Sequence, residues 1–365
     1  MGRNFVQTSL GGRYALAVAA LLVAGLFLVG APEPSLGAAP PWPWPSWRKH
    51  GPPVEERRSE GDNIASDPSV ILDPTAGRYR MAFTGPSREH DRSSIIGTTS
   101  PDGVHWTDVP FNDGVILEGG PDDWDGYMET SDLLKRGGQY LLFYSGYQES
   151  AVFAEIQAAE VGLATSPDGV HFTRVSSQPV MRRTRGGWDN DAIFSPSVID
   201  VAGTLYMVYT GWCLDRCAAI GGPSGAQILG ATSTDGGLTW MKRPGGPIFE
   251  PSDDYRWMDN STDEADLTIG PDGAYYLFFT ASSLTPGQPP VSIGMARSLS
   301  SPFGPWEIYP RPVVTPSRLW ERVDMGFPTV IDDGGTGRMW YTGVGLRGIS
   351  AQPLGFRIGL ATTGA

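Results

Sequence analysis

Ile193-Phe194-Ser195-Pro196-Ser197-Val198-Ile199, followed by Gly203-Thr204-Leu205-Tyr206-Met207-Val208-Tyr209-Thr210-Gly211, reads as a short buried strand, a turn and a second strand rich in aromatic and β-branched residues. The phrase has four echoes: Ser69-Val70-Ile71 with residues 79–85, Asp132-Leu133-Leu134 with 140–146, Asp266-Leu267-Thr268 with 275–280, and Thr329-Val330-Ile331 with 338–343. A third strand follows in every copy, at 95–100, 161–166, 228–233, 293–298 and 358–363. In the first three copies an Asp-Gly turn then leads to an aromatic residue, as in Pro101-Asp102-Gly103-Val104-His105-Trp106. Asp-Gly marks a hairpin because Gly accepts positive φ. A fourth strand is expected next, at Gln178-Pro179-Val180 or Pro247-Ile248-Phe249.

Four antiparallel strands repeated five times spell an all-β fold, a five-bladed β-propeller. The units open at Asp67, Thr130, Ser195, Glu264 and Phe327, with spacings of 63, 65, 69 and 63 residues. The fifth unit stops after its third strand. Trp47-Arg48-Lys49-His50-Gly51-Pro52-Pro53-Val54 matches Phe172-Thr173-Arg174 and its continuation in type and order. Residues 47–56 are therefore expected to close the last blade and hide its edge. The propeller domain is read as 47–365, with Pro-rich 40–46 as a linker.

Residues 14–31 form an almost unbroken apolar run behind Arg3 and Arg13, with Gly37-Ala38-Ala39 after it. This is the layout of a secretory signal, with cleavage near Ala39. An uncleaved membrane anchor over 14–31 is the alternative, and only then would a membrane be a partner. The expected location is secreted or extracytoplasmic. The chain carries 27 basic and 40 acidic residues, a net charge of −13. Such a surface repels nucleic acid phosphates, so no nucleic acid partner is expected. The only cysteines, Cys213 and Cys217, are read as a disulfide stapling one loop, since no histidine lies near to complete a metal site.

The first residues of innermost propeller strands meet at the central channel. Here they are Asp67, Thr130, Ser195, Glu264 and Phe327, with Glu129, Asp189, Asp191 and Asp263 just upstream. Aromatic–acid pairs precede four of the inner strands: Trp124-Asp125, Trp188-Asp189, Trp257-Met258-Asp259 and Trp320-Glu321. Asp-Pro opening the first inner strand and Glu opening the fourth resemble the five-bladed propeller glycoside hydrolases. These are the family 43 arabinanases and xylosidases and their relatives in families 32, 62, 68, 117 and 130. The resemblance implies Asp67 as general base and Glu264 as general acid. The third blade carries Ser195 where family 43 carries an Asp that tunes the acid; Asp191, Asp189 or Glu129 could supply that charge.

The chemistry stands beside the resemblance. Glycoside cleavage needs one carboxylic acid to protonate the leaving oxygen and one carboxylate to activate water or attack carbon. The candidate catalytic set is Asp67, Glu264 and Asp191. Glu129, Asp189, Ser195, Trp124, Trp188 and Trp257 are candidates for binding a carbohydrate substrate. Each has a plain rival: Asp67 as a turn cap, Glu264 as part of a solvated acidic run, the Trp residues as packing between blades. A carbohydrate- or protein-binding propeller without catalysis is the alternative function. No cofactor is required, although a central Ca²⁺ is compatible with such a channel. Ser233-Thr234-Asp235-Gly236-Gly237-Leu238-Thr239-Trp240 fits the Asp-box turn, which is structural, and no arginine triad of a sialidase is legible. His105 and His171 occupy the same hairpin slot in two blades and are read as surface turn residues. His90 is read as a loop residue.

Overall fold

The computed structural model describes residues 42–54, 64–86, 92–148, 158–214, 225–346 and 354–364. Residues 1–39, expected to be an export signal, and His90 and Cys217 lie outside the described residues. Among the described residues no helix is long and apolar enough to cross a membrane.

The chain folds as five four-stranded antiparallel blades. The first contains β2 (Ser66–Leu72), β3 (Tyr79–Pro86), β4 (Ser93–Ser100) and β5 (Thr107–Asp108), with β6 (Val115–Leu117) added on β4. The second contains β7 (Tyr127–Arg136), β8 (Gln139–Tyr147), β9 (Glu160–Ser166) and β10 (Thr173–Arg174). The third contains β11 (Ala192–Val201), β12 (Thr204–Cys213), β13 (Gly225–Ser233) and β14 (Met241–Lys242). The fourth contains β15 (Ser261–Ile269), β16 (Tyr275–Ser282), β17 (Val291–Ser298) and β18 (Glu307–Ile308). The fifth is β19 (Asp324–Asp333), β20 (Thr336–Leu346) and β21 (Leu354–Thr363), completed by β1 (Trp47–Val54). The register Trp47↔Thr363, Lys49↔Ala361 closes the ring with the N-terminal strand, as the matching phrase predicts. The fourth strands are shorter than expected. In blades two to four a two-residue ladder is followed by one bridge, Val161↔Met181, Ile228↔Phe249 or Ile293↔Val314.

The apolar core is not central. Its five largest clusters lie one at each junction between neighbouring blades. Leu141, Phe143 and Leu163 of blade two meet Ile193, Met207 and Leu229 of blade three, and the other junctions repeat the pattern. The alternation of each strand supplies both faces of a blade with apolar side chains, so each sheet is buried on both sides.

Within the stretch 40–46 expected as a linker, the described residues Trp42 and Trp44 pack into the propeller. Trp42 (5 % exposed) and Trp44 (0 %) sit in the junction of blades four and five with Tyr276, Phe278 and Tyr309. Trp44 lies 5.1 Å from the Tyr276 ring. Burying about 200 Å² of one indole is worth roughly 5 kcal/mol, enough to draw a proline-rich stretch into the domain.

The recurrent Trp–acid pairs turn out to fasten blades. Trp124 stacks on Tyr144, Trp257 on Phe279 and Trp320 on Tyr341, at centroid distances of 6.3, 6.0 and 5.8 Å. In three of the four pairs the acid beside the indole is buried and takes a phenol from the second strand and a cation from the fourth, whereas Asp259 accepts from Leu284 N and Thr285 Oγ1. Asp125 accepts from Tyr144 Oη (2.7 Å) and Arg174 Nε (2.8 Å). Asp189 accepts from Tyr209 Oη (3.2 Å) and pairs with Lys242. Glu321 accepts from Tyr341 Oη (2.8 Å) and pairs with Lys49. Lys49 thus does on β1 what Arg174 does on β10 and Lys242 on β14.

Candidate active site

The five predicted unit openings share one backbone conformation. Asp67, Thr130, Ser195, Glu264 and Phe327 all lie in the left-handed region, at φ 55°, 48°, 51°, 49° and 49°. Each sits in a β-bulge, because the inner strand carries one residue more than its partner at that point. Left-handed backbone costs a non-glycine residue on the order of 1 kcal/mol or more. An inter-blade hydrogen bond offsets it at every position. The amide of Asp67 donates to Thr342 Oγ1 (2.8 Å), Thr130 to Thr84 Oγ1 (3.0 Å) and Ser195 to Thr130 Oγ1 (3.0 Å). Glu264 donates to Thr210 Oγ1 (2.8 Å) and Phe327 to Thr280 Oγ1 (3.2 Å). Thr84, Thr210, Thr280 and Thr342 occupy one register position on the second strands. In blade two that position is Ser145, and Thr130 Oγ1 spans the gap by donating to its Oγ (2.7 Å).

A second ring lies two residues further along: Ser69, Asp132, Ser197, Asp266 and Thr329. Each accepts an amide from the next blade: Leu133 to Ser69, Val198 to Asp132, Leu267 to Ser197, Val330 to Asp266 and Val70 to Thr329, at 2.9–3.3 Å. Ser69 Oγ also donates to Asp132 Oδ1 (3.1 Å) and Ser197 Oγ to Asp266 Oδ1 (3.3 Å). Burial pushes the Asp132 carboxyl up to about 7. Burial, with the charge of Asp132 added to it, pushes Asp266 up to about 8. No cation stands beside either among the described residues, so the neutral acid is the favoured form.

The two rings wall a small cavity of about 30 Å³ with an open mouth. Asp67, Ser195 and Glu264 are brought together here. Asp67 and Glu264 stand on non-adjacent blades, with blade five between them, so they approach from different sides. Thr280 Oγ1 donates to Glu264 Oε2 (3.0 Å). The neighbouring blade makes room for this carboxylate: a Cβ on Gly326 would lie 2.6 Å from Glu264 Oε2. Ser195 Oγ is buried without a hydrogen-bond partner.

The other expected residues lie elsewhere. Asp191 is not in the cavity wall; its carboxylate accepts from Leu214 N (2.7 Å) and Asn190 Nδ2 (2.7 Å) and holds the start of the loop after β12. Glu129 is buried beside Thr130 and accepts from Tyr147 Oη (2.6 Å). Asp189, Trp124, Trp188 and Trp257 belong to the blade fastenings and junction cores described above. Cys213 is fully buried at the end of β12; its expected partner Cys217 is not among the described residues. His105 and His171 are exposed turn residues, each against the Asp of its own turn.

Three features are absent from the sequence reading. One is the pair Asp132 and Asp266, which the two-residue period of the inner strands places on the channel side along with the openings. Another is Asp324, at the start of β19, whose carboxyl burial lifts to about 7. The third is an aromatic cluster separate from the five junction cores: Tyr147 and Phe194, with Tyr127 and Trp212 packed against them. These residues stand at the ends of the blades where the inner strands begin. No group of three or more metal-ligating side chains occurs among the described residues.

A comparison with curated proteins finds no match. The profile described as the glycosyl hydrolases family 32 N-terminal domain matches residues 125–283, less than half of the chain. Among solved structures, the chain is similar to one described as a glycoside hydrolase, with a TM-score of 0.63 at 16 % identity, over 86 % of this chain and 92 % of that one. A structure reported for GH130 mannoside phosphorylases and glycoside hydrolases that target beta-1,2 mannosidic linkages in Candida mannan gives 0.63 at 16 %, over 88 % and 95 %. An endo-arabinase from Bacteroides thetaiotaomicron gives 0.57 at 19 %, over 80 % and 92 %. At these identities the likeness is one of fold: the chain has the five-bladed propeller found among glycoside hydrolases.

Proposed function

We propose that the chain is an exported glycoside hydrolase acting on a polysaccharide or oligosaccharide, with Asp67 and Glu264 as its paired carboxyl groups. The observation that carries this reading is their meeting in the wall of one open cavity at the hub of a glycoside-hydrolase-like propeller. Glu264, lodged in the space left by Gly326, gives its proton to the departing glycosidic oxygen. Asp67 takes a proton from the incoming water or attacks the sugar carbon directly. Ser195 Oγ, buried and unpartnered in the same wall, donates to a substrate hydroxyl or orients the water. Export rests on the basic–apolar–small order of residues 1–39, and the Cys213–Cys217 bridge fits an oxidising compartment. The experiment is a glycan panel with reducing-end detection. Wild type should release sugar from at least one glycan, and Asp67→Asn and Glu264→Gln should each lower turnover by at least about 10²-fold while melting like wild type.

Ser195 in place of the third-blade Asp favours a second reading, a glycan-binding propeller without catalysis. Glycan binding with no sugar released by wild type would establish that reading instead.

A further inference from the structure

Asp67 and Glu264 share the hub with two further acids. Asp132 and Asp266 line the same cavity, and no Lys, Arg or His does. The floor carries two hydroxyl–carboxyl links between blades. Ser69 Oγ of blade one donates to Asp132 Oδ1 of blade two (3.1 Å), and Ser197 Oγ of blade three donates to Asp266 Oδ1 of blade four (3.3 Å). The charge of Asp132 is felt at Asp266. Taken in ring order, these groups run from the blade of Asp67 to the blade of Glu264. Ser131 Oγ and Ser195 Oγ are buried in the same lining without a hydrogen-bond partner, on residues 5 % and 9 % exposed. A polar cavity of about 30 Å³ has room for roughly two water molecules, and unpartnered hydroxyls beside carboxyl groups are what holds such water in place.

The proposed reaction creates a need for a proton path. In a single displacement, water gives a proton to the Asp67 carboxylate as its oxygen bonds to the sugar carbon, and Glu264 gives its proton to the departing oxygen. The products leave Asp67 protonated and Glu264 ionised, the reverse of the state that starts the cycle. One proton has to return from Asp67 to Glu264. A carboxylic acid suits such a path, because one oxygen accepts a proton while the other releases one. Asp132 and Asp266, raised by burial to about 7 and about 8, can do both near neutral pH. A double displacement creates no such need, since Glu264 recovers its proton from water in the second step.

We infer that Asp132, Asp266 and the floor water form a relay that returns the proton of Asp67 to Glu264 beneath the bound sugar, and that the enzyme inverts configuration at the carbon attacked. The inference rests on the proposed hydrolase reading of the cavity. Each carrier accepts one proton and releases one, so no charge accumulates along the path. The test is steady-state kinetics on the panel glycan that releases most sugar, with the anomer of the first product read by proton NMR. Wild type should give the inverted anomer. An amide cannot take up a proton and pass it on, so Asp132→Asn and Asp266→Asn should each lower kcat by about 10-fold or more while kcat/KM stays within about 2-fold, because the return of the proton follows product formation. Imidazole, a small proton carrier, should restore kcat to both variants. Unchanged kcat, an equal loss of kcat and kcat/KM, or no response to imidazole would overturn the relay. A retained anomer from wild type would overturn it too, even where a variant folds poorly. All of these outcomes leave the hydrolase reading intact. A wild type that releases no sugar from any glycan would end the hydrolase reading and the relay together.

Discussion

Replacing Asp266 by Asn should make the protein less sensitive to alkali. The Asp266 carboxyl titrates at 3.8 in its ordinary state and at about 8 in the folded ring. Below about pH 4 both folded and unfolded chains hold the proton. Between about 4 and about 8 the folded chain keeps a proton that the unfolded chain has lost, so stability falls as pH rises through this window and the loss is complete above it. At about 1.4 kcal/mol per unit, the interval from about pH 5 to about pH 8 removes up to about 4 kcal/mol. A ring of about 300 ordered residues has an unfolding entropy near 0.6 kcal/mol per kelvin, so the melting temperature should drop by about 6 °C. His50 pulls the other way: burial, with Arg48 and two other arginines nearby, lowers its pKa, so its stability is lost as pH falls. Comparing the variant with wild type cancels that contribution. The amide can accept from Val330 N and donate to Ser197 Oγ, which has a lone pair to spare. Asp132, itself raised to about 7 by burial, keeps contributing, so the variant's profile should be shallower rather than flat. Differential scanning calorimetry across this pH range reads the effect. A wild-type melting temperature that climbs from pH 5 to pH 8, or an unchanged slope in Asp266→Asn, would refute the assignment of neutral acids to the channel.

Lys49→Met should destabilise the protein by about 3–5 kcal/mol in denaturant titration, because it leaves the Glu321 carboxylate buried without its cation. Gly343→Ala should cost at least about 1–3 kcal/mol, since the new methyl would lie 2.1 Å from the Trp320 ring; an unchanged midpoint would mean the indole moves freely. Ser195→Ala should leave the midpoint within about 1 kcal/mol of wild type or raise it, because its hydroxyl has no protein partner to lose, while turnover on a substrate identified by the panel falls.

The blade count, the five opening residues and the closing N-terminal strand were legible because a repeated phrase shows its own register. Asp67, Thr130, Ser195, Glu264 and Phe327 are the five positions the structure bends into the left-handed region, although only the repeat, and no Gly at any of them, marks them out. The Trp–acid pairs were harder to read. Their role is set by a phenol about twenty residues later and a base on the fourth strand, and only the joint recurrence of Tyr144 and Arg174, Tyr209 and Lys242, Tyr341 and Lys49 separates a fastening from a sugar platform. Asp132 and Asp266 lie within the repeat phrase itself, but neutral and charged forms of an aspartate look alike in a sequence.

At each of the five left-handed positions, the atom that ties one blade to the next is the amide nitrogen, which every residue except proline possesses. Except at Thr130, whose hydroxyl accepts the Ser195 amide, closure of the ring therefore makes little demand on the side chain there. At the other four positions an acid, a hydroxyl or a phenyl ring can be exchanged without loosening the circle. A scaffold joined in this way can trade one reaction for another, or give up catalysis, by changing residues whose structural task is done by the main chain.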